Sequence, residues 1–330
     1  MTITRLVSVG NVVIDIVTRI AALPERGGDV IADSADVVVG GSAYNVLVAA
    51  AREGLPGVYA GAHGTGPFGA LARAGLAREG IAVAHAPVAG IDTGFDVAMV
   101  EADGERTFIT AVGAEWWLSL GAFSPSPFSP GAFSSGASSS GSSLSGAFSF
   151  APGDAVHLSG YGLLHPVNRE TLLAVLPAIE GLVVYDPGPL GHEVPASVIA
   201  DVVARTDWWS GNAREARLAT GIEDPAGAAV ALASWTRAGA IVRLGADGCI
   251  VAERRGTPRL VPGFTVAAVD LNGAGDTHVG AFIAALASGL GAADAARRAN
   301  AAAAIAVTRA GPADAPTRDE ADTFLRRTSE

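Results

Sequence analysis

The chain has 330 residues, 49% of them hydrophobic, which predicts one large α/β domain with a small appendage. Its formal charge is −11 and it has no long basic run, so it lacks the positive surface that binds the phosphate backbone of nucleic acids. We therefore expect no DNA or RNA binding. All 22 basic residues are arginine, so a Walker P-loop, a Schiff-base enzyme and a protein-kinase-type site, which all need lysine, are excluded too.

The N-terminal part of the chain alternates short apolar runs with turns and two helical segments. Strands are predicted at 6–10, 12–17, 35–39, 58–60, 81–88, 95–101 and 106–112. Helices are predicted at 42–54, after Gly40-Gly41-Ser42, and at 68–79. The last two strands flank Asp103-Gly104, a hairpin turn signal, and no helix follows them. With the segments near 12–20 and 30–39 they are expected to form a separate small sheet, which would serve as a lid.

Residues 121–150 consist almost wholly of Ser, Gly, Ala, Pro and Phe and show no helical or strand period. Such a composition predicts a low-complexity, disordered insertion in a surface loop. Its phenylalanines are expected to make transient contacts only. We assign no chemistry to this segment.

The C-terminal part returns to a regular alternation of strands and helices. Strands are predicted at 155–159, 182–185, 206–210 and 240–244, and helices at 168–177, 195–204, 213–220 and 226–237. This alternation predicts a doubly wound, mostly parallel sheet, to which 249–253 adds an antiparallel strand. Three further helices are predicted at 275–288, 292–309 and 317–328. The predicted α/β core therefore comprises 1–10, 42–91 and 114–330, and the predicted lid comprises 11–41 and 92–113.

The cysteine content and the hydropathy of the chain indicate where in the cell the protein is expected. The single cysteine, Cys249, excludes an intramolecular disulfide and any multi-cysteine metal site. The first residues lack the pattern of a signal peptide, and no run of about 18 apolar residues occurs. We expect a cytoplasmic protein that binds no membrane.

The segment from Val269 to Thr277 carries the sharpest chemical signal. Gly273 and Gly275 let the backbone approach a ligand closely, and the N–H groups at the start of the following helix can bind an anion such as phosphate. Asp276 would repel a phosphate as a ligand but is suited to act as a base beside the group that accepts the phosphoryl. The segment therefore predicts phosphoryl transfer with Asp276 as the catalytic base.

A competing motif lies earlier in the chain. Gly64-Thr65-Gly66-Pro67-Phe68-Gly69 matches the dinucleotide-binding pattern, and Asp92 follows at about the right distance for a ribose contact. On its own this would suggest NAD. Pro67 would have to lie in the turn around the pyrophosphate, however, and the motif is outside the first strand unit, so we expect no NADH binding.

Gly273-Ala274-Gly275-Asp276 resembles the C-terminal signature of pfkB/ribokinase-type carbohydrate kinases. Other family landmarks follow the same order along the chain: Gly10-Asn11 with Asp15, Gly40-Gly41 with Asn45, Asn212-Ala213-Arg214-Glu215, and Leu244-Gly245-Ala246-Asp247-Gly248. The resemblance implies a ribokinase-like fold and ATP- and Mg²⁺-dependent phosphorylation of a hydroxymethyl group on a sugar or sugar-like molecule.

The resemblance also implies roles for individual residues. Asp276 would be the base, and Gly273, Ala274 and Gly275 would complete the catalytic loop. The backbone amides of Ala274, Gly275 and Asp276 would form the anion hole for the γ-phosphoryl group. Substrate would be bound by Asp15, Gly40, Gly41 and Asn45. The nucleotide site would include Asn212, Glu215, Arg243, Gly245, Gly248 and Asn300. Glu215 and Asn212 would order Mg²⁺ through water, and Asp270 is a candidate ligand for a monovalent cation such as K⁺. Lid sheets of such kinases can pair, which implies a homodimer.

Several positions depart from the family pattern. Asp186-Pro187-Gly188-Pro189 stands where many sugar kinases have Asp-x-Asn-x-Arg, and Leu271 replaces the usual Thr or Ser. Ser159-Gly160-Tyr161-Gly162 lacks the Glu that ribokinases use near the sugar, which argues against ribose. Asp103 to Phe108 resembles a poorly characterised subgroup of sugar kinases.

Two other functions stay open. Asn272 resembles the adenosine-kinase-like branch, and Tyr161 or Phe95 could hold a base, so a nucleoside kinase is an alternative. A ligand-binding regulator that kept the fold and lost catalysis is the alternative outside enzymes, and the presence of Asp276 argues against it.

Overall fold

A computed structural model of the chain describes residues 2–102, 105–123, 147–311 and 314–328. The strands are β1 (Arg5–Ser8), β2 (Val13–Arg19), β3 (Ser34–Gly40), β4 (Gly57–Tyr59), β5 (Ala82–Val83), β6 (Phe95–Val100), β7 (Arg106–Ala111), β8 (Asp154–Ser159), β9 (Leu182–Asp186), β10 (Trp208–Asn212), β11 (Gly239–Arg243), β12 (Gly248–Glu253) and β13 (Arg259–Pro262). The α-helices are α1 (Ser42–Arg52), α2 (Pro67–Arg78), α3 (Tyr161–Leu164), α4 (Pro166–Val175), α5 (Ala196–Val203), α6 (Ala213–Thr220), α7 (Pro225–Trp235), α8 (Ala274–Ala287), α9 (Ala292–Ala306) and α10 (Arg318–Arg327).

The main sheet has nine strands in the order β13-β12-β11-β10-β9-β8-β1-β4-β5. All neighbouring pairs are parallel except β11 with β12 and β12 with β13. The predicted α/β class, the parallel sheet and the antiparallel strand near Cys249 are thereby confirmed. The edge strand β13 was not predicted.

Apolar residues cover both faces of this sheet. Successive residues of one strand, such as Val183 and Val184 of β9, belong to two different hydrophobic clusters on opposite faces. Helices α4, α5 and α7 contribute to one cluster, and α1, α8 and α9 contribute to the other. A strand buried on both faces has no polar alternation, which explains why the sequence shows continuous apolar runs here.

Close packing of α8 on α1 fixes the relative position of two predicted site residues. A Cβ atom at Gly280 of α8 would lie 2.3 Å from the Val46 carbonyl oxygen of α1, so only glycine fits. Asn45 precedes Val46, and Asp276 lies one turn before Gly280. The packing of these helices therefore brings Asn45 and Asp276 together.

The lid is a separate sheet with the order β3-β2-β6-β7. Strand β2 pairs antiparallel with β3 and parallel with β6, and β6 pairs antiparallel with β7. This confirms the predicted small sheet, whereas the exact domain boundaries stay a prediction. The predicted hairpin turn at 103 and 104 lies outside the described residues.

Both ends of the predicted insertion belong to the core. Phe123, Phe148 and Phe150 are buried, and the rings of Phe123 and Phe150 stack with centroids 5.7 Å apart. Phe123 and Phe148 also form a β-bridge. The predicted segment was therefore too wide at both ends, and its middle, 124–146, lies outside the described residues. Among the described helices, none is long and apolar enough to cross a membrane.

Candidate active site

Four neighbouring strands of the main sheet each have a polar residue at their carboxyl end. Each is the last residue of its strand: Ser159 of β8, Asp186 of β9, Asn212 of β10 and Arg243 of β11. Because these strands are parallel, their carboxyl ends meet at one edge of the sheet, where ligands bind in open α/β folds. The predicted nucleotide-site residues Asn212 and Arg243 are paired in register at this edge.

Arg243 is a buried positive charge between two carboxylates. Its Nη1 donates to Asp186 Oδ2 at 3.1 Å and to Ser210 Oγ at 2.9 Å. Its Nη2 lies 3.7 Å from Glu215 Oε2. The guanidinium also contacts the start of α8, since a Cβ atom at Gly275 would lie 3.3 Å from Nη2. Arg243 therefore joins the ends of three strands to the predicted anion hole.

The N-terminus of α8 leaves backbone donors open toward this edge. Gly273 has φ 72° and ψ 1°, a left-handed conformation that favours glycine. The Ala274 N–H donates to the Leu271 carbonyl at 3.3 Å. The N–H groups of Gly275 and Asp276 have no backbone acceptor among the described residues. Two donors at a helix N-terminus suit an anion, whereas the predicted share of Ala274 is weaker because its N–H is already engaged.

Asp276 lies in the first turn of α8 and is held by α1. Its Oδ2 accepts a hydrogen bond of 2.9 Å from Asn45 Nδ2. Burial raises the pKa of Asp276 to about 6, and the charge of Asp186 adds to this, while the Asn45 and Ser42 hydrogen bonds and the Arg243 charge oppose it. A carboxylate with a pKa slightly below neutral is suited to general base catalysis.

Asp15 reaches the same cleft from the lid. Burial raises its pKa to about 7, and the charges of Asp96 and Asp276 raise it further. Gly40 lies directly against it, because a Cβ atom there would be 2.3 Å from Asp15 Oδ2. The predicted substrate residues Asp15 and Gly40 are therefore in contact.

Gly41 shapes the entry into α1. Its φ is 91°, and a Cβ atom would lie 2.6 Å from the Asn11 carbonyl oxygen. Only glycine fits both constraints, so Gly41 of the predicted Gly-Gly pair is required by the backbone. It places Asn45 in the first turn of α1, facing Asp276.

A cavity of about 530 Å³ opens beside the end of β11. It is lined by Asn212, Ala213, Arg214, Pro225, Arg243, Leu244, Gly245 and Asp247. Gly245 has φ 64° and open space around its Cβ position, whereas Gly248 has φ 99° and is enclosed by the backbone of Val261 to Gly263. Gly248 is thus required by the turn into β12, and its nucleotide contact stays a prediction.

Asn212 and Glu215 form a capping box at the start of α6. Asn212 Oδ1 accepts from the Glu215 N–H at 2.8 Å, and Glu215 Oε2 accepts from the Asn212 N–H at 2.7 Å. Glu215 Oε1 accepts from Asn212 Nδ2 at 2.9 Å. Both carboxylate oxygens are therefore engaged within the helix cap. Ordering of Mg²⁺ by this pair stays a prediction, and the described residues contain no cluster of three metal-ligating side chains.

Asp270 pairs with the lid. Arg106 of β7 donates from Nη2 to Asp270 Oδ1 at 2.6 Å, and the Asn272 and Gly311 N–H groups donate to the same carboxylate. A guanidinium thus already neutralises the carboxylate predicted to bind a monovalent cation. Binding of K⁺ stays a prediction.

Asn300 is buried between α9 and β13. Its Nδ2 donates to the carbonyls of Val261 and Pro262, and its Oδ1 lies 3.1 Å from His278 Nε2. These contacts give the side chain a packing role. The predicted contact of Asn300 with the nucleotide stays a prediction.

The contacts of Asp92 argue against a dinucleotide site at Gly64 to Gly69. Asp92 Oδ2 and Oδ1 accept from the N–H groups of Phe68 and Gly69 at the start of α2. A Cβ atom at Gly66 would lie 2.3 Å from Asp92 Cγ. The carboxylate of this chain occupies the donors that a pyrophosphate would need, so the glycines serve a capped helix start.

Sequence analysis missed Asp96 of the lid. It pairs in register with Asp15 across the parallel strands β2 and β6, so both side chains point to the same face. Asp96 is a charged residue in an otherwise apolar strand, which is the one local signal for it. The partner strand was needed to place it beside Asp15.

Comparisons with known proteins agree over nearly the whole chain. A profile described as pfkB family carbohydrate kinase matches residues 3–125 and 142–318. An uncharacterised sugar kinase of Escherichia coli strain K12, YegV, is 32% identical over 322 residues, which cover 94% of this chain and 91% of that protein.

Solved structures share the fold. Ribokinase of Arabidopsis thaliana, complexed with ribose and ATP, matches with a TM-score of 0.74 and 23% identity over 98% of this chain and 99% of that chain. A ribokinase II structure from E. coli, in complex with ATP and Mg²⁺, matches with a TM-score of 0.76 and 21% identity over 98% of this chain and 100% of that chain.

The residues matched by the pfkB family profile include every site residue described above.

Proposed function

The chain belongs to the pfkB family of carbohydrate kinases and is therefore a phosphotransferase, and we propose that it transfers the γ-phosphoryl group of ATP to a hydroxymethyl group of a sugar or sugar-like molecule. One observation carries the proposal. The Asp276 carboxylate is fixed by Asn45 at a helix start with open backbone donors, next to Asp15 of the lid. A base, an anion site and a substrate carboxylate thus share one cleft.

The chain's own residues account for the transfer as follows. Asp15 and Asn45 hold the hydroxyls of the substrate. Asp276 accepts the proton as the acceptor oxygen bonds to the γ-phosphorus and the bond to the bridging oxygen of ADP breaks. The N–H groups of Gly275 and Asp276 stabilise charge on the transferring group. Closure of the lid over the cleft excludes water.

The site fits MgATP in size and charge. The cavity of about 530 Å³ at Asn212 and Gly245 lies beside Arg243, and the open donors of α8 lie next to the Arg243 guanidinium. Because the chain has no lysine, the positive groups available to phosphates here are the cavity-lining side chains of Arg243 and Arg214 and the backbone N–H groups. Magnesium bound to the nucleotide would supply further positive charge, with Asp186, Asn212 and Glu215 at hand to hold its water ligands.

An ATP-consumption screen over sugars and nucleosides tests this function. We expect ADP to form with at least one sugar and a chelator such as EDTA to stop the reaction. Product analysis should show a phosphorylated primary hydroxyl. Absence of ADP formation with every panel member, at a concentration where ATP binds, would contradict the proposal.

A nucleoside kinase is the second candidate. Tyr161 lies at the cleft, where the charges of Asp276 and Asp96 add to burial in raising its pKa, and it packs against Gly188. Its ring could stack on a base. The same screen separates the two functions, because a nucleoside kinase would turn over a nucleoside faster than any sugar.

The proposed mechanism predicts the pH dependence of kcat/KM. The pKa of Asp276 is raised to about 6 and that of Asp15 to about 7, and both are needed as carboxylates. Raised values mean that both groups take up protons as the pH falls toward 6. We expect kcat/KM to fall about tenfold per pH unit between about pH 7 and 6, and up to about 100-fold per pH unit below about 6, measured on protein whose folding is checked by circular dichroism. A flat profile down to about pH 4.5 would contradict the role of Asp276.

The Gly40→Ala variant tests the substrate side of the cleft. The added Cβ would lie 2.3 Å from Asp15 Oδ2, so the carboxylate must move. We expect kcat/KM to fall by about 10²-fold, since displacements of about 1 Å have effects of that size. Gly291→Ala is the matched control, because nothing lies within 4 Å of its Cβ position. Equal steady-state kinetics for both variants would overturn the placement of Asp15.

A homodimer through the lid is also proposed. Val37 of β3, Phe108 and Ile109 of β7, and Val112 are each more than half exposed. Apolar side chains on a small sheet that stands off the core suit pairing with a second lid.

A further inference from the structure

Asp96 is a carboxylate in the substrate cleft that the proposed mechanism does not use. It stands opposite Asp15 in register on parallel strands, and its charge raises the pKa values of Asp15 and Tyr161. Its Oδ1 is buried and has no hydrogen-bond partner in the described part of the chain. A buried carboxylate oxygen without a donor is costly unless a ligand supplies one.

Other side chains at this end of the chain's cleft also have buried polar atoms without a hydrogen-bond partner among the described residues. The Asn45 side chain is 5% exposed, and its Nδ2 binds Asp276 while its Oδ1 is buried and unpaired with any described residue. The Asn11 Oδ1 is likewise buried without a partner in the described part of the chain, and the backbone carbonyl of Asn11 lies against Gly41. Ser159 is 1% exposed at the end of β8, and its Oγ likewise lacks a partner among the residues described. The oxygens of Asp96, Asn45 and Asn11 can only accept, so a ligand that satisfies them must supply hydrogen-bond donors, whereas the Ser159 hydroxyl can accept or donate.

Among the described residues, the cationic side chain that acts on Asp276 is Arg243, which lies on the nucleotide side of the cleft. Arg243 is bound to Asp186 and Ser210, and among the described residues no ion pair involves Asp15, Asp96 or Asp276. The raised pKa of Asp15 has burial, Asp96 and Asp276 as its causes. A carboxylate or phosphate substituent on the substrate would meet like charges here, which costs affinity.

We propose that Asp96 is a second substrate-binding carboxylate and that the acceptor of this kinase is a neutral polyhydroxylated sugar or an amino sugar, which presents hydroxyl or ammonium donors to Asp96, and not a sugar acid or sugar phosphate. This rests on the proposed function for the transfer step. The recognition of donors by Asp96 is independent of that step and is measurable by binding alone.

The test compares matched compounds on the full chain by calorimetry and by ADP formation. Each neutral sugar is paired with its amino, acid and phosphate derivatives, in the presence of a non-hydrolysable ATP analogue for binding. We expect the neutral or amino compound to exceed its anionic derivatives by roughly 100-fold or more in affinity and in kcat/KM. An anionic derivative within tenfold of its neutral parent overturns the inference.

Asp96→Asn tests the residue itself. We expect it to weaken binding of the preferred sugar by about 10- to 100-fold, the range for hydrogen bonds to charged groups, with kcat changed little. A larger loss for amino than for neutral sugars identifies an ammonium donor, and equal losses identify hydroxyls. Asp36→Asn, on the exposed part of β3, is the control and should bind like the parent protein. Unchanged binding in Asp96→Asn overturns the inference.

The pH profile separates recognition from a merely structural role. Two carboxylates raise the pKa of Asp15, namely Asp96 on β6 and Asp276 on α8. The Asp96→Asn variant removes one of these two like charges. The pH at which substrate affinity changes through titration of Asp15 should therefore be lower in the variant than in the parent protein. An unchanged pH dependence of affinity contradicts the contact between Asp96 and Asp15.

If no compound yields ADP but neutral or amino sugars bind in an Asp96-dependent manner, the kinase proposal fails and this inference stands. If a sugar acid or phosphate is turned over best, the inference fails and the kinase proposal stands.

Discussion

The Asp276→Asn variant is expected to lose about 10²- to 10⁴-fold in kcat while it still binds ATP and substrate. An amide cannot take the proton of the acceptor hydroxyl, but it can still accept the hydrogen bond that Asn45 donates at 2.9 Å. The open N–H groups of Gly275 and residue 276 are also kept, so the phosphate site is preserved. Steady-state kinetics and a separate nucleotide-binding titration measure the two effects.

Asp294→Asn is the matched control for this variant. Asp294 lies in the first turn of α9, as Asp276 lies in the first turn of α8, but it is exposed. Both substitutions remove a charge that favours a helix N-terminus, so a shared loss would report helix stability. We expect normal turnover in Asp294→Asn. If Asp276→Asn kept more than about a tenth of the parent kcat, the assignment of the base would be wrong.

Arg243→Met is expected to lower the free energy of unfolding by about 3–5 kcal/mol and to abolish measurable turnover. The Arg243 side chain is 13% exposed, and its guanidinium neutralises Asp186 and Glu215, whose side chains are 8% and 7% exposed. Its removal leaves two buried carboxylates without compensation next to the phosphate site. Denaturant unfolding and ATP titration measure stability and nucleotide affinity separately.

Arg217→Met provides the comparison. Arg217 is 44% exposed and lies 3.6 Å from Glu223, which is 83% exposed, so its loss should cost less than about 1 kcal/mol. Adding Asp186→Asn to Arg243→Met should restore part of the stability, since one uncompensated charge is removed. An unfolding midpoint of Arg243→Met equal to that of the parent would contradict the buried network.

The sequence was most informative where local pattern and chemistry coincide. Continuous apolar runs predicted the parallel strands, and glycine at 273 and 275 predicted the backbone geometry at the start of α8. The Gly40-Gly41 pair was assigned to the cleft, and each glycine proves to be required by a close contact. These features depend on residues near one another in the chain, so a single sequence can reveal them.

Features that depend on pairing between distant strands were not visible. Asp96 becomes a site residue only because β6 pairs parallel with β2, which brings it opposite Asp15. The ion pair of Arg106 with Asp270 likewise joins the lid to the core. The low-complexity composition around Phe123 and Phe148 hid their burial, because composition does not show which residues meet.

The Asn212 and Glu215 pair shows a different limit. Asparagine followed by glutamate three residues later fits both a capping box and a metal-ordering motif, and the spacing is the same for both. The structure shows the cap, with both carboxylate oxygens of Glu215 engaged. Whether the pair also acts on Mg²⁺ depends on a bound nucleotide, which no sequence pattern contains.

A crystal structure with a non-hydrolysable ATP analogue and the sugar that the screen selects tests the central claim most directly. The distance to measure joins the acceptor hydroxyl oxygen to the nearer Asp276 carboxylate oxygen. We predict a value of about 2.6–3.2 Å, with the γ-phosphate analogue facing the Gly275 N–H. A sugar hydroxyl bound away from Asp276, with the phosphates remote from the start of α8, would contradict it.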